Sequence, residues 1–147
     1  MNKSVSVAPM MDCTDKHELY FLSLISKNVK LYTEMIVSNA IIRGDREKLL
    51  SFKKINNHVT LQLGGSDPNE LAEACKIAED YGYQEINLNL GCPSKKVQKN
   101  KFGACLMKEP DLVGRCINSM ANATKLPISA KTRIGYNDLE NYNNLKK

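Results

Sequence analysis

Cys92 stands in the run Asn87-Leu88-Asn89-Leu90-Gly91-Cys92-Pro93-Ser94, between a glycine and a proline. An ordinary thiol titrates at about 8.5, so at neutral pH it is mostly protonated and can donate a proton as well as attack. Cysteine is also a common small core residue. A place just past a strand end, beside two asparagines of one phase, favours chemistry over packing. Gln62, followed by Gly64-Gly65, is the second feature. Its amide can both donate to and accept from a heteroaromatic ring edge. The glycines would let backbone approach a ligand closely; an ordinary turn after a strand fits them equally well.

Lys131 and Arg133 put two cations on one phase of a later segment. Facing inward they are costly unless they meet an anion or water. Solvated residues near a strand end are the plainer reading. Ala8-Pro9-Met10-Met11-Asp12 is weak alone, because adjacent methionines usually pack in a core. Lys95, Lys96, Lys99 and Lys101 follow Cys92 and would suit a polyanionic substrate; a solvated charged loop is the alternative. Glu34 falls on an inward phase, and the sequence assigns it no role.

Alternating strand and helix periods must position these residues. Strands are predicted over 5–10, 31–36, 59–63, 86–90 and 128–134, with helices over 15–25 and from Pro110, and short helical signals over 46–52. Asp67-Pro68-Asn69-Glu70 opens a further helix with an acidic cap, proline in the first turn and Glu three residues after the cap, and Gly82 ends it. Residues 91–103 read as a long polar loop. Residues 137–147, polar and asparagine-rich, read as a fifth helix or a fraying end. Such alternation favours βαβ units and a parallel sheet.

Doubly wound sheets bury both faces and read as continuous apolar runs. Here Thr60 and Gln62, then Asn87 and Asn89, then Ser129, Lys131 and Arg133 keep one face polar. That pattern fits a (β/α)8 TIM barrel with its site in the C-terminal mouth. A full barrel takes about 250 residues. These 147 residues provide about five βα units, so the fold is expected to be an incomplete barrel, its remainder absent or supplied by a second chain.

Composition limits the partners. Twenty-one Lys and Arg against 16 Asp and Glu give a net charge of +5, compatible with nucleic acid without requiring it. Five cysteines, an odd number with no C-x-x-C pair, argue against a zinc site and a disulfide framework and suit a reducing cytoplasmic setting. No apolar run approaches a membrane span of about 20 residues, and the first residues lack the apolar stretch of a signal peptide. Neither membrane nor metal is expected.

The chain resembles the tRNA-dihydrouridine synthases, most closely their A-type bacterial branch. The likeness rests on Ser6-Val7-Ala8-Pro9-Met10-Met11-Asp12, Leu31-Tyr32-Thr33-Glu34-Met35, Leu61-Gln62-Leu63-Gly64-Gly65-Ser66, the Cys92 run from Glu85 to Ser94, Phe102-Gly103-Ala104-Cys105-Leu106-Met107 and Lys131-Thr132-Arg133-Ile134-Gly135. It implies an FMN-dependent barrel that reduces uridine to 5,6-dihydrouridine in the D-loop of tRNA, with NADPH as reductant. It implies Cys92 as the acid that protonates C5 opposite the flavin. Pro9, Met10 and Met11 would line the flavin, Gln62 would contact its ring and Lys131 would stabilise the reduced ring. Asn89 would lie beside the uracil, Arg133 near substrate or cofactor phosphate, and Lys95 and Lys96 on tRNA.

Family members continue into three more strands and a helical tRNA-binding domain. Residues 1–147 are therefore expected to be the N-terminal portion of the FMN-binding catalytic barrel, with those parts absent. Two other readings stay open. One is a non-catalytic remnant or half-barrel that needs a partner chain. The other is a different FMN barrel oxidoreductase, against which the Gly-Cys-Pro-Ser loop and its lysines argue.

Overall fold

The computed structural model describes residues 5–135. The asparagine-rich stretch 137–147 lies outside them, as do the first four residues. The first helix, α1 (Lys16–Ile25), begins where the Asp15 carboxylate accepts the amides of His17 and Glu18, satisfying two donors that the helix itself leaves unpaired. Four strands follow in sequence, β1 (Leu31–Val37), β2 (Val59–Gly64), β3 (Glu85–Leu90) and β4 (Ile128–Thr132). They form one parallel sheet in the order β1-β2-β3-β4, with Leu31 opposite Val59, Leu61 opposite Ile86 and Ile86 opposite Ile128.

Two short helices, α2 (Ser38–Arg43) and α3 (Arg46–Leu50), connect β1 to β2. Helix α4 (Pro68–Glu79) connects β2 to β3, and its start is the acidic cap read from the sequence: Asp67 accepts from the amides of Asn69 and Glu70, with Pro68 in the first turn. Between β3 and β4 run α5 (Lys95–Lys99), a 3₁₀ segment (Gly103–Lys108) and α6 (Pro110–Ala123). Leu61, Leu63, Ile86 and Leu88 share the core with Leu71, Cys75 and Ala78 of α4 and with Cys116 and Met120 of α6. Strands that alternate with helices in this way, all parallel, form a section of a (β/α)8 barrel.

Three expectations need correction. Residues 5–10 do not form a strand: they pair with the chain ahead of β1 through a single parallel bridge, Ser6 to Lys30, with Val7 N–H donating to Lys30 O at 2.9 Å. Pro9, which has no N–H, cannot extend a ladder. The described residues therefore contain four strands and one bridge rather than five strands. The last strand stops at Thr132, not at 134. The long loop after Cys92 is mostly helical, as α5 and the 3₁₀ segment show.

The polar face also differs from the expectation of an open ligand surface. Thr60, Gln62 and Asn87 are buried. Buried amides need partners, and Gln62 and Asn87 find them in each other and in their neighbours.

Candidate active site

The end of β3 delivers Cys92 into the mouth of the barrel section. Asn89, the next-to-last residue of β3, turns its Oδ1 onto the chain just beyond the strand. It accepts the amide of Gly91 at 3.1 Å and that of Cys92 at 2.8 Å. The Cys92 carbonyl in turn accepts the amide of Ala104 at 3.0 Å. Both backbone polar groups of Cys92 are thus occupied, while its side chain stays half-buried. Gly103 permits the second contact: its φ is +73°, and a Cβ there would stand 2.7 Å from the Cys92 carbonyl oxygen.

The Asn89 amide nitrogen donates to Gln62 Oε1 at 2.8 Å, and Gln62 Nε2 donates to Asn87 Oδ1 at 2.8 Å. Asn87 Nδ2 donates to Ser129 Oγ at 2.9 Å, and Ser129 donates to Glu85. Arg133 lies across the Cys92 turn, its Nη1 donating to Gly91 O at 3.3 Å. A Cβ at Gly91 would meet Arg133 Cγ at 3.3 Å, so the glycine leaves room for the arginine stem. Lys131 sits opposite Asn89 in the β3–β4 register and is exposed. Pro9, half-buried, shares with Lys131 and Asn87 a cavity of about 520 Å³.

Cys92, Gln62, Asn89 and Arg133 therefore form one bonded cluster, with Lys131 and Pro9 beside it. Met10 and Met11 are 47% and 54% exposed, so they are not core. They lie on a separate turn in which Thr14 Oγ1 bonds the Met10 amide and the amides of Cys13 and Thr14 reach Met10 O. Glu34 clamps that turn onto β1. Its Oε2 accepts the amide of Asp12, a residue at φ 58°, and its own N–H donates to Thr14 O. The inward phase expected of Glu34 is broken by a bulge between Tyr32 and Met35. Lys95 and Lys96 are exposed on α5, which Ser94 caps by accepting the Val97 amide.

Four participants carried no role in the sequence reading: Asn87, Ser129, Glu85, and Thr33, whose Oγ1 accepts the Gln62 backbone amide at 3.0 Å. The alternation of β3 and β4 did put Asn87 and Ser129 on the inward phase. Thr33 left no signal, because its contribution depends on the bulge.

Burial pushes Cys75 up to about 12 and raises Cys105 and Cys116, holding all three protonated as packing residues. Among the described residues no three His, Cys, Asp or Glu side chains gather as a metal site. Among them, too, no helix is long and apolar enough to cross a membrane.

Residues 6–146 match the family model described as "Dihydrouridine synthase (Dus)". The chain is 52% identical over 141 residues to the tRNA-dihydrouridine(20/20a) synthase of Synechocystis, an alignment covering 96% of this chain and 42% of the relative. It is 52% identical to the protein of that name from Xanthomonas campestris, covering 94% and 41%, and 53% identical to the one from Yersinia pestis, covering 93% and 39%. The chain spans about two fifths of the length of these relatives, in their N-terminal part. With the family model matched over nearly its whole length, the chain belongs to the dihydrouridine synthase family.

Proposed function

We propose that this chain carries the proton-donating side of a site that reduces uridine in tRNA to 5,6-dihydrouridine, using FMN reduced by NADPH. The carrying observation is the clustering of Cys92, Asn89, Gln62 and Arg133 at the strand ends, in a chain that matches the family over residues 6–146. Residues 1–147 act as the N-terminal portion of the FMN-binding barrel domain, in the cytoplasm, with a D-loop uridine as the target. The relatives' name, with its positions 20 and 20a, supports that choice of loop.

The residues present fit a flavin. Lys131 is an exposed cation beside Asn89, Pro9 lines the same cavity, and Met10 and Met11 offer exposed apolar contacts nearby in sequence. Gln62 has used one donor and one acceptor valence on asparagines. At 1% exposure it would act toward the ring by holding Asn89 from beneath. When bound, FMN supplies the hydride for C6 of the uracil.

This chain's residues do the rest. Cys92 holds a proton on Sγ and gives it to C5 as general acid, so hydride and proton together saturate the double bond. Asn89 keeps the turn that aims Sγ. Lys131 offsets negative charge on the ring, Arg133 holds one edge of the mouth, and Lys95 and Lys96 meet tRNA phosphates. The base must leave the tRNA interior to reach such a site.

Purified protein titrated with FMN should show flavin absorbance and fluorescence quenching. Cys92→Ala should keep that binding and lose uridine reduction by about 10²-fold or more, as removal of a general acid does. Unchanged turnover in Cys92→Ala removes the thiol from the acid role, and a chain that takes up no flavin at saturating FMN ends the proposal for this chain.

A further inference from the structure

We propose that Asn87 is a positioning residue for Cys92, acting through a directed chain of hydrogen bonds that runs from Glu85 at the foot of the sheet to the Cys92 amide at its mouth. The inference deepens the function proposed above, and rests on it only for what Cys92 does.

The direction of the chain follows from its ends. Glu85 is a carboxylate and can only accept. The amides of Gly91 and Cys92 can only donate. Between them every group must pass one donor and one acceptor along. Ser129 donates to Glu85, so it accepts from Asn87 Nδ2. Asn87 Oδ1 then accepts from Gln62 Nε2, Gln62 Oε1 accepts from Asn89 Nδ2, and Asn89 Oδ1 is left for the two backbone amides. Every link is 3.1 Å or shorter. Asn87 and Gln62 are 2% and 1% exposed, so water cannot stand in for a missing partner.

Asn87 is the link that joins β3 to both neighbours, reaching Gln62 on β2 and Ser129 on β4. Cutting it frees the Gln62 amide to turn. Asn89 then loses the acceptor that keeps its oxygen pointed at the Cys92 turn. The Cys92 thiol should report this directly.

An aspartate at position 87 gives a sharper test. A protonated carboxyl offers one donor and one acceptor, as an asparagine amide does, and completes the chain. An ionised one loses the donor to Ser129 but still accepts from Gln62 Nε2, so Gln62 stays turned toward Asn89. The charged and titratable groups that share its surroundings are Lys30, Glu85, Lys131 and Tyr32, with His58 against Glu85. N87D therefore keeps the half of the chain that reaches Cys92 in either protonation state, and Asn87→Leu loses it.

The measurement is the labelling rate of Cys92 by a dithiodipyridine, which reacts in acid as well as at neutral pH, read by peptide mass spectrometry against exposed Cys13 in the same chain. Asn87→Leu should raise the Cys92-to-Cys13 ratio by roughly fivefold at neutral pH, the effect of losing one ordinary hydrogen bond. N87D should keep close to the parent's ratio at neutral pH and at about pH 5, because its carboxyl accepts from Gln62 Nε2 in both protonation states. Circular dichroism checks the fold, and Asn87→Val replaces Asn87→Leu if the leucine variant does not fold. A parental ratio in Asn87→Leu, or in the Asn87→Val that replaces it, overturns the proposal. So does an N87D ratio raised as far as that of Asn87→Leu. Loss of the acid role in the Cys92→Ala assay would leave these labelling outcomes unaffected, so the two proposals fail separately.

Discussion

At Cys92 the backbone, not the side chain, carries the constraints. Its amide is held by Asn89 and its carbonyl by Ala104, so Sγ is left as the free group of a fixed residue. The second of these contacts depends on Gly103. There the backbone is left-handed, at φ +73°, and an added Cβ would fall 2.6 Å from Val97 Cγ1 and 2.7 Å from the Cys92 carbonyl oxygen. A left-handed conformation costs a side-chain-bearing residue roughly 1–2 kcal/mol, and forced overlap in packed surroundings adds about 1–3 kcal/mol. Gly103→Ala should therefore lose at least about 2 kcal/mol in urea unfolding. A loss under about 0.5 kcal/mol, the scale of an ordinary surface change, would mean that the turn after α5 does not brace Cys92.

At the scale of elements, the bulge in β1 organises the mouth. Tyr32 pairs with Thr60 but Met35 pairs with Gln62, so β1 carries one extra residue there. Thr33 Oγ1 fills the gap in the ladder, accepting the Gln62 amide at 3.0 Å and donating to Glu34 O at 2.8 Å. The bulge also turns Glu34 toward the Asp12 amide, which anchors the methionine turn. Thr33→Val keeps the shape and removes the acceptor. It should cost about 1–3 kcal/mol for an orphaned buried N–H, with faster hydrogen exchange at the Gln62 amide. Exchange at the parental rate would show that the ladder closes without the hydroxyl. Nothing in Leu31-Tyr32-Thr33-Glu34-Met35 signals this, because a bulge is a relation between two strands. The cap of α4 was legible for the opposite reason: Asp67, Pro68 and Glu70 interact within one turn. The shared face of Gln62 and Asn89 was legible because strand alternation sets it, and the place of Cys92 because it follows directly on the end of β3. That they would bond to one another and be buried was not, since burial depends on neighbours far along the chain. Residues 5–10 misled for the same reason, their apolar pattern meeting only one bridging partner.

At the scale of the whole sheet, the feet of four strands meet on one carboxylate. Lys30 precedes β1, His58 precedes β2, Glu85 opens β3 and Ser129 lies in β4. Lys30 and Ser129 donate to Glu85, and His58 Nε2 stands 3.5 Å from it. Burial opposes ionisation of Glu85, but the hydrogen bonds from Lys30 and Ser129 and the positive charge of Lys30, with His58 close by, outweigh it, holding the carboxyl below its ordinary 4.5. Burial likewise opposes the charge of Lys30, and its hydrogen bonds to Glu85 and Tyr32 outweigh it, raising the ammonium above its ordinary 10.5. A carboxyl lowered on folding stabilises the chain above its unfolded pKa and loses that contribution as pH falls through the folded value; a raised ammonium stabilises below its unfolded pKa and loses it as pH rises. The pair's contribution is therefore whole between 4.5 and 10.5 and fades on either side. The Lys30 and Glu85 side chains are 27% and 11% exposed, so water screens them in part. Lys30→Met should accordingly cost about 1–3 kcal/mol at neutral pH, less than the roughly 3–5 kcal/mol of breaking a fully buried pair. Urea unfolding from neutral pH into acid should show the parent and Lys30→Met converging as pH drops below 4.5, because protonated Glu85 no longer needs the ammonium. Asp15, also lowered, has the same surroundings in both proteins and cancels from the difference. A gap that stays constant from neutral pH into acid would show that the four strands are held at their feet by packing and not by this charge.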